Sequence, residues 1–122
     1  MPHTILLVDD EFSFLEVLSL LLTQEGYETL TAADGEEALA RLRERRVDLV
    51  VTDYWMPGMN GLELCRQMQA DEAWRSIPLL MMTAAYDFDI ERVSGLRGIV
   101  AKPMRFKALL QRVREILDPP KD

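Results

Sequence analysis

Five side chains in this sequence could do chemistry together: the carboxylates of Asp9, Asp10 and Asp53, the hydroxyl of Thr83 and the ammonium of Lys102. Each ends an apolar run, as in Ile5-Leu6-Leu7-Val8 before Asp9 and Leu49-Val50-Val51-Thr52 before Asp53. Two carboxylates about 4 Å apart repel by roughly 4 kcal/mol at an effective dielectric near 20, so such a cluster takes up protons or attracts a cation. Hard oxygen donors without histidine or thiolate favour Mg²⁺ over zinc, and Mg²⁺ keeps several waters while using one or two carboxylates and phosphate oxygens. An aspartate can also attack a phosphoryl group to form an acyl phosphate, once charge on the transferred oxygens is neutralised. Mg²⁺, the point charge of Lys102 and the hydroxyl of Thr83 could share that task, and a hydroxyl that moves when phosphate appears is a candidate sensor.

These residues can meet only if a parallel sheet aligns the carboxyl ends of their strands, because the ligand crevice of an open α/β sheet lies beyond those ends. The chain alternates short aliphatic runs with longer amphipathic ones, the pattern of repeated βα units. Strands are expected at Thr4–Asp9, Tyr27–Ala32, Val47–Asp53, Ile77–Thr83 and Ile99–Ala101. The first helix, Glu11–Glu25, repeats Phe12, Leu15, Leu18 and Leu22 at helical spacing before Gly26 ends it. Asp34 and Glu37 form a box-like cap for the second helix, which buries Ala38 and Leu42 and closes on Arg43–Arg46. The run Met56-Pro57-Gly58-Met59-Asn60-Gly61 reads as a loop, and Leu62–Ala70 as the third helix. The closing helix buries Phe106, Leu109, Leu110, Val113 and Leu117 and stops at Asp118-Pro119-Pro120. The stretch from Ala84 to Gly98 is the least regular.

With 122 residues, 48% hydrophobic and 29% charged, the chain reads as one soluble domain, 1–122, with a core over 4–117. A net charge of −7 repels phosphate, so direct nucleic acid binding is not expected. No apolar run approaches the ~20 residues of a membrane span, and the opening residues lack a signal-peptide pattern, so no membrane contact and a cytoplasmic location are expected. The single cysteine, Cys65, reads as a half-buried helix residue, and one histidine leaves no zinc cluster. Arg41, Arg43, Arg45 and Arg46 suit a solvated helix end better than a docking patch. His3 has no visible partner, and Trp55 and Trp74 are candidate partner anchors. Trp55 also flanks the acidic residues and could gate water.

Taken in order, Ile5-Leu6-Leu7-Val8-Asp9-Asp10-Glu11, Asp53-Tyr54-Trp55-Met56-Pro57-Gly58-Met59-Asn60-Gly61, Met82-Thr83-Ala84 and Lys102-Pro103 make the chain resemble the receiver domain of bacterial response regulators. The resemblance covers Thr4 to Leu117. It implies a flavodoxin-like doubly wound (βα)5 fold with a five-stranded parallel sheet of order 2-1-3-4-5. It implies Asp53 as phospho-acceptor, Asp10 as a direct Mg²⁺ ligand, Asp9 as an outer or water-mediated one, and the Trp55 backbone carbonyl as a further ligand. Thr83 and Lys102 take the phosphate-sensing and charge-neutralising roles, and the Lys102–Pro103 peptide is expected to be cis. The implied donor is a sensor histidine kinase or phosphotransfer protein. The recipient is a downstream protein or a separated output domain, and a homodimer is allowed.

Two features depart from the family. Receivers commonly carry Tyr or Phe three residues before the lysine, where this chain has Ile99, so aromatic switching is absent or carried by another residue such as Tyr86 or Phe88. The segment between Thr83 and Lys102 is also a few positions short, which implies a shortened or irregular helix between the fourth and fifth strands. A haloacid-dehalogenase-like phosphatase is the enzymatic alternative, but that class places two aspartates two apart around its nucleophile, and Asp53 is followed by Tyr54-Trp55. A pseudo-receiver that binds without phosphorylation is the third reading, opposed by the intact set of five site residues. The expectation is therefore a two-component signalling switch, not an enzyme with a released product. It is either stand-alone or cut from a longer regulator at a Pro-Pro linker.

Overall fold

The computed structural model describes residues 2–84, 95–103 and 105–119. Strands β1 (Thr4–Val8), β2 (Glu28–Ala32), β3 (Leu49–Asp53), β4 (Leu79–Thr83) and β5 (Leu96–Ala101) form one sheet of order β2-β1-β3-β4-β5. Every neighbouring pair is parallel. Among the described residues the helices are α1 (Phe12–Gln24), α2 (Gly35–Glu44), α3 (Gly61–Ala70) and α4 (Phe106–Leu117). The expected helix between β4 and β5, with Tyr86 and Phe88, lies outside the described residues.

β1, β3 and β4 are buried along their whole length, as strands covered on both faces must be. Alternate side chains then feed two cores. Leu6, Val8, Val50, Leu79 and Met81 meet Ala38, Leu39 and Leu42 of α2 and Leu64, Cys65 and Met68 of α3. Ile5, Leu7, Leu49, Val51, Leu80 and Met82 meet Leu15, Leu18 and Leu22 of α1 and Leu109, Leu110 and Val113 of α4. Cys65 is fully buried in the first core, not half-buried, because its helix turns that side chain inward with Leu64 and Met68.

Phe12 does not join the buried face of α1; it is 71% exposed. At 100° per residue it lies about 90° from the mean direction of Leu15, Leu18 and Leu22. Strand β5 starts at Leu96 rather than Ile99, since β4 offers a ladder along its full length, with an irregularity between Leu79 and Leu80. Gly98 helps there: it lies under the Arg112 guanidinium, which donates to the Arg97 carbonyl at 3.3 Å.

Caps agree with local chemistry. Asp34 accepts from the Glu37 N–H at 2.8 Å, while the Glu37 carboxylate turns to Arg41 at 3.6 Å, so only half of the box closes. Asn60 caps α3 by accepting from the Glu63 N–H at 2.9 Å. At the opposite end of the sheet from the acidic residues, the Tyr27 hydroxyl donates to Asp118 Oδ2 at 2.8 Å. His3 Nδ1 stands 3.7 Å from Asp118 Oδ1, which gives His3 the partner its sequence context did not show. Phe106 and Leu117 of α4 are half-buried rather than enclosed.

Candidate functional site

Backbone pairing carries the ladder past each strand end and so fixes the site residues. The Asp9 N–H donates to the Ala32 carbonyl at 3.1 Å, the Tyr54 N–H to Met82 at 2.9 Å, and the Lys102 N–H to Thr83 at 2.9 Å. Asp53 is the last residue of β3 and Thr83 the last of β4. All five residues singled out in the sequence therefore share the carboxyl rim of the sheet. The Lys102–Pro103 peptide that follows β5 is cis.

Lys102 Nζ donates to Asp9 Oδ2 at 2.7 Å and lies 3.3 Å from Asp53 Oδ2. Asp9 is 1% exposed, and its Oδ1 accepts from the Glu11 N–H at 2.9 Å, so both of its oxygens are engaged. Asp10 is exposed, yet Asp9, Asp10 and Asp53 each place a carboxylate oxygen within 4.8 Å of the others. Burial pushes the Asp53 carboxyl above its usual range, and the Asp9 charge adds to this. The Lys102 charge and hydrogen bond and the backbone N–H of Trp55 pull the other way. For Lys102, burial favours the neutral amine, but the bonds and charges of Asp9 and Asp53 prevail and hold it above its usual value. Three carboxylates against one ammonium leave the rim short of two positive charges. With oxygen donors alone, that composition fits a hard divalent cation such as Mg²⁺.

The sequence did not single out Gly61 or Asn60 as positioning residues, although Asn-Gly before a helical run was the available signal. A Cβ on Gly61 would stand 2.5 Å from the Asp53 carbonyl oxygen and 2.7 Å from Met81 Sδ. Only glycine lets α3 start this close to the end of β3, and its N–H donates to the Tyr54 carbonyl at 2.9 Å. Trp55 is 61% exposed and meets Tyr54 edge-on, with ring centroids 4.8 Å apart. Thr83 is buried on the same rim, and Ile99 is half-buried against the core shared with α2 and α3. Away from the site, Trp74 is half-buried beneath Arg43 at 5.8 Å, while Arg41, Arg45 and Arg46 pair with carboxylates.

Residues 5–114 match the family described as the response regulator receiver domain. The chain belongs to that family. This receiver is 41% identical over 118 residues to the DNA-binding response regulator MtrA of Mycolicibacterium paratuberculosis, covering 93% of this chain and 51% of that protein. It is 37% identical over 118 residues to the transcriptional regulatory protein AfsQ1 of Streptomyces coelicolor, covering 93% and 51%. The chain thus spans about half the length of the curated relatives it matches. Its backbone superposes on the chemotaxis response regulator CheY4 of Vibrio cholerae with a TM-score of 0.89 at 32% identity, covering 96% and 100% of the two chains. It also superposes on the signal receiver domain of a signal transduction histidine kinase from Syntrophus aciditrophicus, with a TM-score of 0.86 at 31% identity, covering 98% and 92%. The flavodoxin-like fold and the 2-1-3-4-5 order are those of the family, whose members are two-component signalling switches that interact with histidine kinases. No helix among the described residues is long and apolar enough to cross a membrane.

Proposed function

We propose that this receiver accepts a phosphoryl group on Asp53 from a sensor histidine kinase or phosphotransfer protein in the cytoplasm and thereby changes its affinity for a protein partner. The observation that carries this reading is the Lys102 ammonium set between the buried carboxylates of Asp9 and Asp53 inside a three-carboxylate cluster. A carboxylate oxygen of Asp53 forms a bond to phosphorus while the P–N bond of the donor's phosphohistidine breaks, and the leaving imidazole keeps that electron pair. Lys102 is already 3.3 Å from Asp53 and needs only a small shift to pair with a phosphoryl oxygen. The Thr83 hydroxyl, buried on the next strand end, is the proposed sensor of the same group.

Asp10, Asp53 and the Trp55 carbonyl would hold Mg²⁺, with Asp9 acting through water. When bound, Mg²⁺ supplies positive charge against the transferred phosphoryl oxygens. The outer role of Asp9 is supported by its two oxygens being taken by Lys102 and the Glu11 N–H. The output is a change of surface, read by a downstream protein or by a domain joined to this one, with no direct role for nucleic acid in the receiver itself.

The test is intact mass after incubation with Mg²⁺ and acetyl phosphate. A hydrolysable single phosphate adduct, dependent on Mg²⁺ and missing from Asp53→Asn, is expected. No adduct on the wild-type chain under any condition would favour the pseudo-receiver.

A further inference from the structure

Lys102 Nζ has three hydrogens to donate and, among the described residues, three neighbours placed to receive them. Two are Asp9 Oδ2 at 2.7 Å and Asp53 Oδ2 at 3.3 Å; the third is the ring of Phe14, whose centroid lies 4.8 Å away. That separation is within the ~6 Å over which an ammonium is attracted to an aromatic face. Phe14 stands in the first turn of α1, half-buried against the core of Leu15 and Leu18. With Glu11, Ala84 and Pro103 it lines a mainly apolar recess beside the ammonium. Lys102 itself is only 22% exposed, so the ring contact is partly shielded from water.

We propose that Phe14 is a positioning residue for phosphoryl transfer, its π face holding the Lys102 ammonium in place over Asp53. This rests on the reading of Asp53 as the phospho-acceptor. When phosphorus bonds to Asp53, the carboxylate partner at 3.3 Å loses negative charge to the phosphoryl oxygens, but Asp9 and Phe14 do not change. They form a fixed two-point mount, and the remaining N–H turns from the Asp53 carboxylate to a phosphoryl oxygen. An aliphatic side chain at position 14 would fill similar space but leave that side of the ammonium without an electrostatic partner. Lys102 would then spend time away from the productive position.

The experiment replaces Phe14 with mono-, di- and trifluorophenylalanine, which withdraw π density stepwise at nearly constant shape, and with leucine. The rate of adduct formation from acetyl phosphate at saturating Mg²⁺ is expected to fall along the series, reaching about fivefold in Phe14→Leu. The Mg²⁺ concentration for half-saturation is expected to stay the same, a split that a merely structural loss would not give. In the NMR spectrum of the unmodified wild-type protein the Lys102 ε-methylene protons should be shifted upfield by the ring, and Phe14→Leu should abolish that shift. A flat rate series, or Lys102 protons at an ordinary position in the wild type, overturns the proposal. Failure of wild type to form any adduct sinks the reading of Asp53 and this role with it; a normal wild-type adduct with a flat series removes only Phe14.

Discussion

Replacing Asp53 by asparagine should make the metal-free protein more stable, although it removes the residue on which the proposed chemistry depends. Asp9 and Asp10 each bring a carboxylate oxygen within 4.8 Å of Asp53, and Lys102 Nζ stands 3.3 Å from it. Asp10 is exposed and its charge is screened by water, so at an effective dielectric near 20 Asp9 repels Asp53 by about 3.5 kcal/mol and the ammonium attracts it by about 5 kcal/mol, leaving about 1.5 kcal/mol in favour of the charged form. Burial, which costs several kcal/mol per ion, outweighs that balance, so the charged Asp53 costs about 2 kcal/mol. With a urea slope near 2 kcal/mol per molar, Asp53→Asn should raise the unfolding midpoint in chelator by about 1 M. The pH dependence has a definite sign. The folded Asp53 carboxyl titrates above its ordinary 3.8, so its contribution is fully stabilising below that value and is lost as pH rises through the folded value. The gap between variant and wild type should open from acid toward neutral pH and close again below about pH 4. Mg²⁺ at about a hundred times its dissociation constant should stabilise the wild type by about 2.7 kcal/mol and the variant by less, because the variant has lost a ligand. Urea titrations at several pH values, with and without Mg²⁺, check all of this. A variant less stable than wild type in chelator at neutral pH, or equal stabilisation of both proteins by Mg²⁺, would refute the charge accounting.

Gly61→Ala puts a Cβ 2.5 Å from the Asp53 backbone oxygen, where neither backbone can yield cheaply, so unfolding in urea should show a loss of about 1–3 kcal/mol. Tyr27→Phe should cost about 1 kcal/mol through the lost hydrogen bond to Asp118. Burial, then the bond to and charge of Asp118, push the Tyr27 hydroxyl up to about 12 from 10.0; its stabilisation is full below pH 10 and lost as pH rises through 12. The difference between Tyr27→Phe and wild type should therefore shrink across that window in an alkaline unfolding series. Trp55→Asn should alter the lifetime of the phosphorylated form, read by mass after removal of the donor, while stability stays within about 0.5 kcal/mol. An unchanged lifetime would take Trp55 out of any gating role.

The strand ends were legible because β1, β3 and β4 are unbroken apolar runs, and a parallel sheet needs that pattern where it is covered on both faces. Once those runs were assigned, Asp9, Asp53 and Thr83 had to share a rim. What stayed hidden depends on three-dimensional neighbours. Phe12 passed for a buried position because it stands three residues before Leu15, although at 100° per residue it lies about 90° from the mean direction of the buried stripe. Leu96 and Arg97 fell in the stretch read as least regular, and only the ladder offered by β4 makes them strand. Gly61 read as loop punctuation, whereas its need for glycine comes from the Asp53 backbone and Met81. The ring of Phe14 beside Lys102 joins the first helix to the end of the last strand, a pairing no local pattern encodes.

The corner where His3, Tyr27 and Asp118 meet has a consequence for how the backbone can be rewired. Residues 3 and 118 lie side by side there, at the end of the sheet away from Asp53: His3 Nδ1 is 3.7 Å from Asp118 Oδ1, and the Tyr27 hydroxyl donates to Asp118 Oδ2. A peptide of a few residues would span that gap, so a circularised or permuted chain could be closed at this corner and reopened in a distant surface loop. The strand order and the carboxylate rim would survive such a change of connectivity, since neither depends on which covalent link happens to lie at the opposite end.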